Sequence, residues 1–379
     1  MRSSFKGTKL TALLLLGLSC LVCYFAAQSF MSMWEPEKIY PLEEFQEARL
    51  SDYFEGIKGT PADQPVFIQE GEEEGGTVLL LCGTHPNEPS SNLTGVLFLE
   101  NAKVEKGRMI VVPTANVMGF THNGPQEGHP QGYTIETADG TERFFPYGNR
   151  LSNPIYQWPD PDIYIHPSSG QNLSGKERSN LNRCYPGSPD GSITEKMAFA
   201  IMELIRKEKV DLAFDLHEAS PEYPVVNAIV AHEKSMELAA MVTMEIEFAG
   251  IPIRLEPSPK NLHGLSHREW GDYTDTMPIL METGNPSQGR LRGKTDEDLV
   301  ITGEDKCYSK AMELGKLYIP YDGDQPISLR VARHTEAINL FLANLEFIDE
   351  TKTVTVSGIP DFDEVLNNGV GYYLRPGEI

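Results

Sequence analysis

The chain has 379 residues, 40% of them hydrophobic, with a mean hydropathy of −0.32, so it is globular and soluble over most of its length, with room for one large α/β domain or one and a half. Its formal charge is −23, and with the three basic residues of the first thirty set aside, 29 basic against 55 acidic side chains leave the body at −26. So acidic a surface argues against nucleic acid and anionic lipid headgroups as partners, and an anionic small substrate would need a local cluster of arginines.

Residues 1–30 read as a secretory signal peptide or a signal anchor. Arg2, Lys6 and Lys9 precede the uncharged apolar stretch Leu10 to Ala27, which keeps the basic end in the cytoplasm and the body outside it. FAAQS offers a cleavage point after Ala27, so both outcomes stay open; a lipoprotein signal at Cys20 is disfavoured by Gly17, where an aliphatic residue is wanted. The only membrane contact this predicts is through that segment. Beyond it remain Cys82, Cys184 and Cys307, too few for a disulfide framework.

Residues 31–60 are acidic and read as a stalk with a helix docking onto the body. Val66-Ile68 and Thr77-Cys82 flank GEEEGG, a hairpin signal, and RMIVVPT from Arg108 is another strand. From Phe120 to Gly187 the chain is rich in Gly, Pro, Asn and aromatics with little periodicity, which in a compact domain marks a functional region or an insertion. Ser192-Ile-Thr-Glu195 is a capping box opening a helix with Met197, Ile201, Leu204 and Ile205 on one face. Val210 to Leu216 reads as a strand, Glu233 to Phe248 as a helix, IPIRLE and MPILME as strands. This alternation predicts an α/β fold with a mixed, largely parallel sheet and helices on both faces over residues 61–350, followed by a C-terminal extension over 351–379.

Ionisable residues stand where these strands end. His85 and Glu88 follow Thr77–Cys82, His217 stands at the end of Val210–Leu216 and Glu282 at the end of MPILME. His85 and Glu88 alone would suit a solvated loop histidine beside a helix-start glutamate. The C-terminal ends of parallel strands share one edge, however, so His85, Glu88 and His217 can meet there. Two histidines and a carboxylate are three ligands, the number a catalytic zinc uses, and a further carboxylate is what its chemistry wants as a general base.

GTHPNEP, NLNRCYPG, DLHE and METGNPSQG, in this order, resemble the zinc carboxypeptidase superfamily, and within it the succinylglutamate desuccinylase and aspartoacylase branch. The resemblance spans roughly Thr77 to Arg292. It implies a central sheet of about eight strands, one zinc per chain on His85, Glu88 and His217, Glu282 as general base, and Asn182 with Arg183 holding a substrate carboxylate. Arg178 is the nearest candidate for the arginine that stabilises the oxyanion, with Arg150 next. Arg268 could meet an acidic group on the substrate, with a surface salt bridge as its ordinary reading. Departures are Pro86 in place of a frequent Gly, Asn180 in place of Asp, and Glu218 in place of Asn.

The implied function is hydrolysis of an amide bond in a carboxylate-bearing substrate, as in an N-acyl amino acid deacylase. The alternatives are a metallocarboxypeptidase acting on peptide or cell-wall peptide C-termini, and a non-catalytic zinc- or ligand-binding relative, against which the intact Glu282 argues. Of the other histidines, His122, His129 and His166 read as rim or surface, His232 and His334 as surface, and His263 and His267 as one face of a partly exposed helix.

Overall fold

Period-two alternation inside the apolar runs builds the layers. Val78, Leu80 and Cys82 enter one hydrophobic cluster and Leu79 and Leu81 the other, each at most 1% exposed, so this strand is covered on both faces. The computed structural model describes residues 2–124 and 129–377; residues 125–128 of the long loop region, and Glu378 and Ile379 of the C-terminal extension, lie outside the described residues.

The chain runs through α1 (Arg2–Met31), β1 (Gln46–Arg49), β2 (Pro65–Glu70), β3 (Glu73–Leu81), α2 (Pro89–Asn101) and β4 (Lys103–Val112). The long loop region carries two small hairpins, β5 (Gly132–Glu136) with β6 (Glu142–Pro146) and β7 (Ile163–Ile165) with β8 (Asn172–Ser174). Then come α3 (Ile193–Lys207), β9 (Leu212–Ala219), β10 (Ala228–Ala231), α4 (Met236–Phe248), β11 (Arg254–Pro257), α5 (Ser266–Tyr273) and β12 (Met277–Gly284). α6 (Glu297–Thr302), α7 (Lys306–Glu313) and α8 (Ile327–Ile348) follow, with β13 (Thr355–Ser357) and α9 (Phe362–Asn368) in the C-terminal extension.

Among the described residues nine strands form one mixed sheet in the order β1-β2-β4-β3-β9-β12-β10-β11, with β13 added alongside β4. The central run β4, β3, β9, β12 is parallel throughout, so the ends of β3, β9 and β12 share one edge. Leu93 and Val96 of α2, Leu238 and Val242 of α4 and Val331 and Phe341 of α8 cover one face. Met197, Ile201 and Leu204 of α3 and Trp270 of α5 cover the other.

Two expectations change. β2 and β3 do not form a hairpin, because β4 lies between them, antiparallel to β2 and parallel to β3. Burial of β3 on both faces calls for two neighbours, and GEEEGG is a crossing point instead of a tight turn. A Cβ on Gly71 would stand 2.6 Å from the Glu105 carbonyl carbon, and one on Gly76 2.1 Å from the Lys352 oxygen. The 31–60 segment contributes edge strand β1 and buried Leu50, Tyr53 and Ile57, with no α-helix beyond Met31.

Candidate metal centre and cleft

β9 shows how alternation assigns the site residues. Leu212, Phe214 and Leu216 face the α2/α4/α8 cluster while Ala213 faces the α3 cluster, which puts Asp215 and His217 on the α3 side and Glu218 on the α8 side. β12 is in parallel register with β9, Glu282 opposite His217, and Met281 faces the α8 side, so Glu282 shares the face of His217. After β3 the chain turns at Gly83 (φ +69°), the Glu88 amide donates to the His85 carbonyl at 2.9 Å, and Glu88 is the N-cap of α2 with Pro89 in the first turn.

His85, Glu88 and His217 come together, each 1% exposed. His85 Nδ1 lies 2.9 Å from Glu88 Oε1, His217 Nδ1 lies 2.8 Å from Glu88 Oε2, and the two Nδ1 atoms are 3.0 Å apart. The far ring nitrogens have their own acceptors: His85 Nε2 donates to Asn180 Oδ1 at 3.0 Å and His217 Nε2 to Asp215 Oδ2 at 2.9 Å. With the ring protons committed there, neutral imidazoles would turn two nitrogen lone pairs and both Glu88 oxygens toward one point. Four acceptors facing one another call for a cation, and the three residues could hold a metal ion. The Asn180 and Asp215 contacts are of the kind that orients imidazoles able to bind a metal. Burial and Arg150 pull His85 down to about 4, whereas at His217 Asp215 and Glu88 outweigh burial and push it up to about 10. The carboxylates thus demand positive charge at this point.

The Asn180 departure has a physical reason. Its Oδ1 accepts from His85 and from the Asn182 amide at 3.1 Å, and its Nδ2 donates to Glu177 Oε2 at 2.9 Å. An aspartate could not make that last bond. Asp215 likewise accepts from Thr84 Oγ1 at 2.7 Å and from Ser266 Oγ.

A cleft of about 510 Å³ opens beside the group, its lining combining the polar Arg150, Glu177, Asn182, Arg183 and Glu282 with the apolar Val225, Val230, Leu262, Leu265 and Leu280. Glu282 Oε2 is buried with no hydrogen-bond partner, and desolvation lifts the carboxyl to about 8 against the pull of His217. Glu218 also borders the cleft, but Arg330 Nη1 at 2.9 Å, Asn285 Nδ2 at 2.6 Å and the Ser90 amide at 3.3 Å occupy its oxygens. Asn182 Nδ2 is 3.4 Å from His217 Nε2, and Arg183 reaches its own turn through the Asn182 carbonyl at 2.6 Å, with Glu177 at 3.9 Å.

The arginines separate by position. Arg150 lines the cleft 3.7 Å from Glu88 Oε1, while Arg178 stands away from the lining, 3.9 Å from Glu195 Oε2. Arg268 is 3% exposed, and its Nε donates to Asp272 at 2.9 Å and its Nη2 to Glu233 at 2.8 Å and Asp272 at 2.7 Å; both acids are exposed, so these are salt bridges at the surface with a buried guanidinium, outside the cleft lining. Several histidines differ from the sequence reading. His166, His232, His267 and His334 are all buried, and His267 lines the cleft with Nδ1 2.8 Å from Ser258 Oγ. Asn180, Asp215, Arg330 and His267 were missed as site residues; NLNRCYPG carried a signal for Asn180, noted only as a departure, and DLHE one for Asp215, by its two-residue spacing from His217.

No family model and no curated protein sequence matches this chain. Among solved structures it is similar to the product-bound ectoine utilization protein EutE (DoeB) from Ruegeria pomeroyi, at 20% identity and a TM-score of 0.38, over 60% of this chain and 55% of that one. It is similar to a succinylglutamate desuccinylase/aspartoacylase from Rhodobacter sphaeroides, at 17% identity and 0.38, over 67% and 61%. Tripeptide-bound cell shape determinant Csd4 from Helicobacter pylori aligns at 14% identity and 0.47, over 80% and 60%. In each case less than two thirds of the other chain is spanned, and the likeness concerns the fold.

Proposed function

We propose that this protein is a zinc-dependent hydrolase of amide bonds, acting outside the cytoplasm on a carboxylate-bearing substrate in the manner of an N-acyl amino acid deacylase. The observation that carries the reading is the convergence of two imidazole nitrogens and both Glu88 oxygens beside an unpartnered Glu282 carboxylate in an open cleft. His85, Glu88 and His217 would hold one zinc per chain, which when bound supplies Lewis acidity toward an amide carbonyl and acidifies its water. In its ionised form Glu282 accepts a proton from water at Oε2 and returns it to the leaving amine. Arg183, with Asn182, receives the substrate carboxylate through its planar fork, and Arg150, in the cleft lining, stabilises the developing oxyanion. The apolar helix from Gly7 to Trp34 serves as the address, either cleaved or kept as a single anchor.

The test is metal analysis and turnover on the same preparation. One zinc per chain should be found in the wild type and lost in His217→Ala, and a panel of N-acyl amino acids and dipeptides, each with free and amidated carboxylate, should show hydrolysis confined to free carboxylates. Cleavage of dipeptides alone would move the assignment to a carboxypeptidase. Full zinc occupancy in His217→Ala would remove the metal assignment.

A further inference from the structure

The long loop region does more than frame the cleft. Helix α1 does not leave the body loosely: Met33, just beyond it, is 2% exposed, Trp34 packs edge-on against Tyr156 with centroids 5.9 Å apart, and Ser29 Oγ bonds Gln131 Oε1. On either side of Tyr156 stand Ile155, 69% exposed, and, two residues on, Trp158, 78% exposed. Both are held in place. Gln157 between them is buried, with Nε2 donating to Ser179 Oγ at 2.9 Å and Oε1 accepting from Thr194 Oγ1 at 2.9 Å, while the Ile155 amide donates to Asn153 Oδ1 at 3.0 Å. A pinned segment presents two large apolar side chains to the outside, next to the point where an apolar helix long enough to cross a membrane leaves the body.

We propose that Ile155 and Trp158 form an interfacial contact with the bilayer that α1 spans, holding the cleft beside the membrane surface. The inference rests on α1 being retained as an anchor. The contact is apolar in kind: residues 151–165 contain no Lys or Arg, and the body is strongly acidic, so anionic headgroups would not attract it. Trp34 and Trp158 are of the residue type that settles at the level of lipid headgroups, and Tyr156, two residues before Trp158, packs on Trp34. Arg150, in the lining of the cleft, is five residues from Ile155, at most about 19 Å along the Cα trace, so the contact brings the cleft's rim within reach of a substrate at the membrane surface.

Tryptophan fluorescence of the full chain in phosphatidylcholine nanodiscs, with acyl chains brominated near the headgroup or left unbrominated, tests this. In Trp34→Phe the remaining indoles are Trp158 and the fully buried Trp270. Bromolipid should quench a large part of that emission, and the further change Trp158→Phe should leave emission that bromolipid does not touch. Adding phosphatidylglycerol should leave the quenching unchanged. Quenching of Trp34 in the Trp158→Phe chain, without any of Trp158 in the Trp34→Phe chain, would keep the anchor and overturn the contact, leaving the face to a protein partner. Quenching of neither would overturn the anchor reading and the contact together, while cleavage on the substrate panel would still stand or fall by itself.

Discussion

Glu282 and Glu218 end neighbouring strands, yet their side chains leave the sheet on opposite faces and meet opposite surroundings. One has a buried oxygen without a partner, and the other is held by Arg330, Asn285 and the Ser90 amide. Glu282→Gln should therefore keep the fold and the zinc while kcat falls by a factor on the order of 10² or more. Glu218→Gln breaks a fully buried ion pair, with an expected loss of about 3–5 kcal/mol in urea unfolding, and the folded fraction should turn over at a rate near wild type. The reverse pattern would make Glu218 the base. The two arginines are separated in the same way. Arg150→Ala should lower kcat/KM by about 10² or more, as removal of an oxyanion donor does, and Arg178→Ala should leave it within a few-fold. That His85, Glu88 and His217 meet, and that Glu282, Asn182 and Arg183 line the cleft beside them, was legible in the sequence because each stands in a short motif at a strand exit or turn. The partners Asn180 and Arg330 were not, since what they do depends on contacts 95 and 112 residues away in the chain.

At the scale of elements, local chemistry was legible and sheet order was not. Ser192-Ile-Thr-Glu195 opens α3 as read: Ser192 Oγ accepts from the Glu195 amide at 3.3 Å and Glu195 Oε2 from the Ser192 amide at 2.7 Å. The glycines between β2 and β3 carry the same local signature as a hairpin loop, and only the packing demand of β3 for two neighbours tells them apart. The histidines of α5 and α8 were read as surface for a similar reason, because a helix's own spacing does not say which neighbours cover it. Ser192→Ala should cost about 1 kcal/mol of stability by chemical unfolding. Glu195 also accepts from Tyr164 at 3.1 Å and lies near Arg178, so the cap joins α3 to β7 and to the turn before Asn182. A loss within error would mean that these contacts hold the helix start without the serine.

The whole molecule is closed by a buried clasp near the exit of α1. Arg143 of β6 pairs with both oxygens of Glu100 at 2.8 Å and donates to the Lys38 carbonyl at 2.7 Å. Glu100 in turn accepts from the amides of Tyr40 and Arg375, so the N-terminal segment, α2, a loop hairpin and the C-terminal extension meet at one ion pair. Glu37 lies beside it with a partly exposed stem but both carboxyl oxygens buried and without hydrogen-bond partners. Burial, against the pull of Arg143 and of the neighbouring Asn92 side chain and with the push of Glu100, raises it from 4.5 to about 8. Arg143 is already bound to Glu100, which is why it does not rescue the second carboxylate. In the folded protein Glu37 thus keeps its proton to about pH 8, while in the unfolded chain it loses it near 4.5. The stability this contributes is complete below pH 4.5 and is lost as pH rises through about 8. Glu37→Gln is a neutral isostere at every pH. Its Tm should match the wild type near pH 4.5, exceed it increasingly as pH rises toward 8, and hold a constant lead of several degrees above that. A lead that does not change with pH would mean that Glu37 is already ionised in the fold and that Arg143 serves both carboxylates.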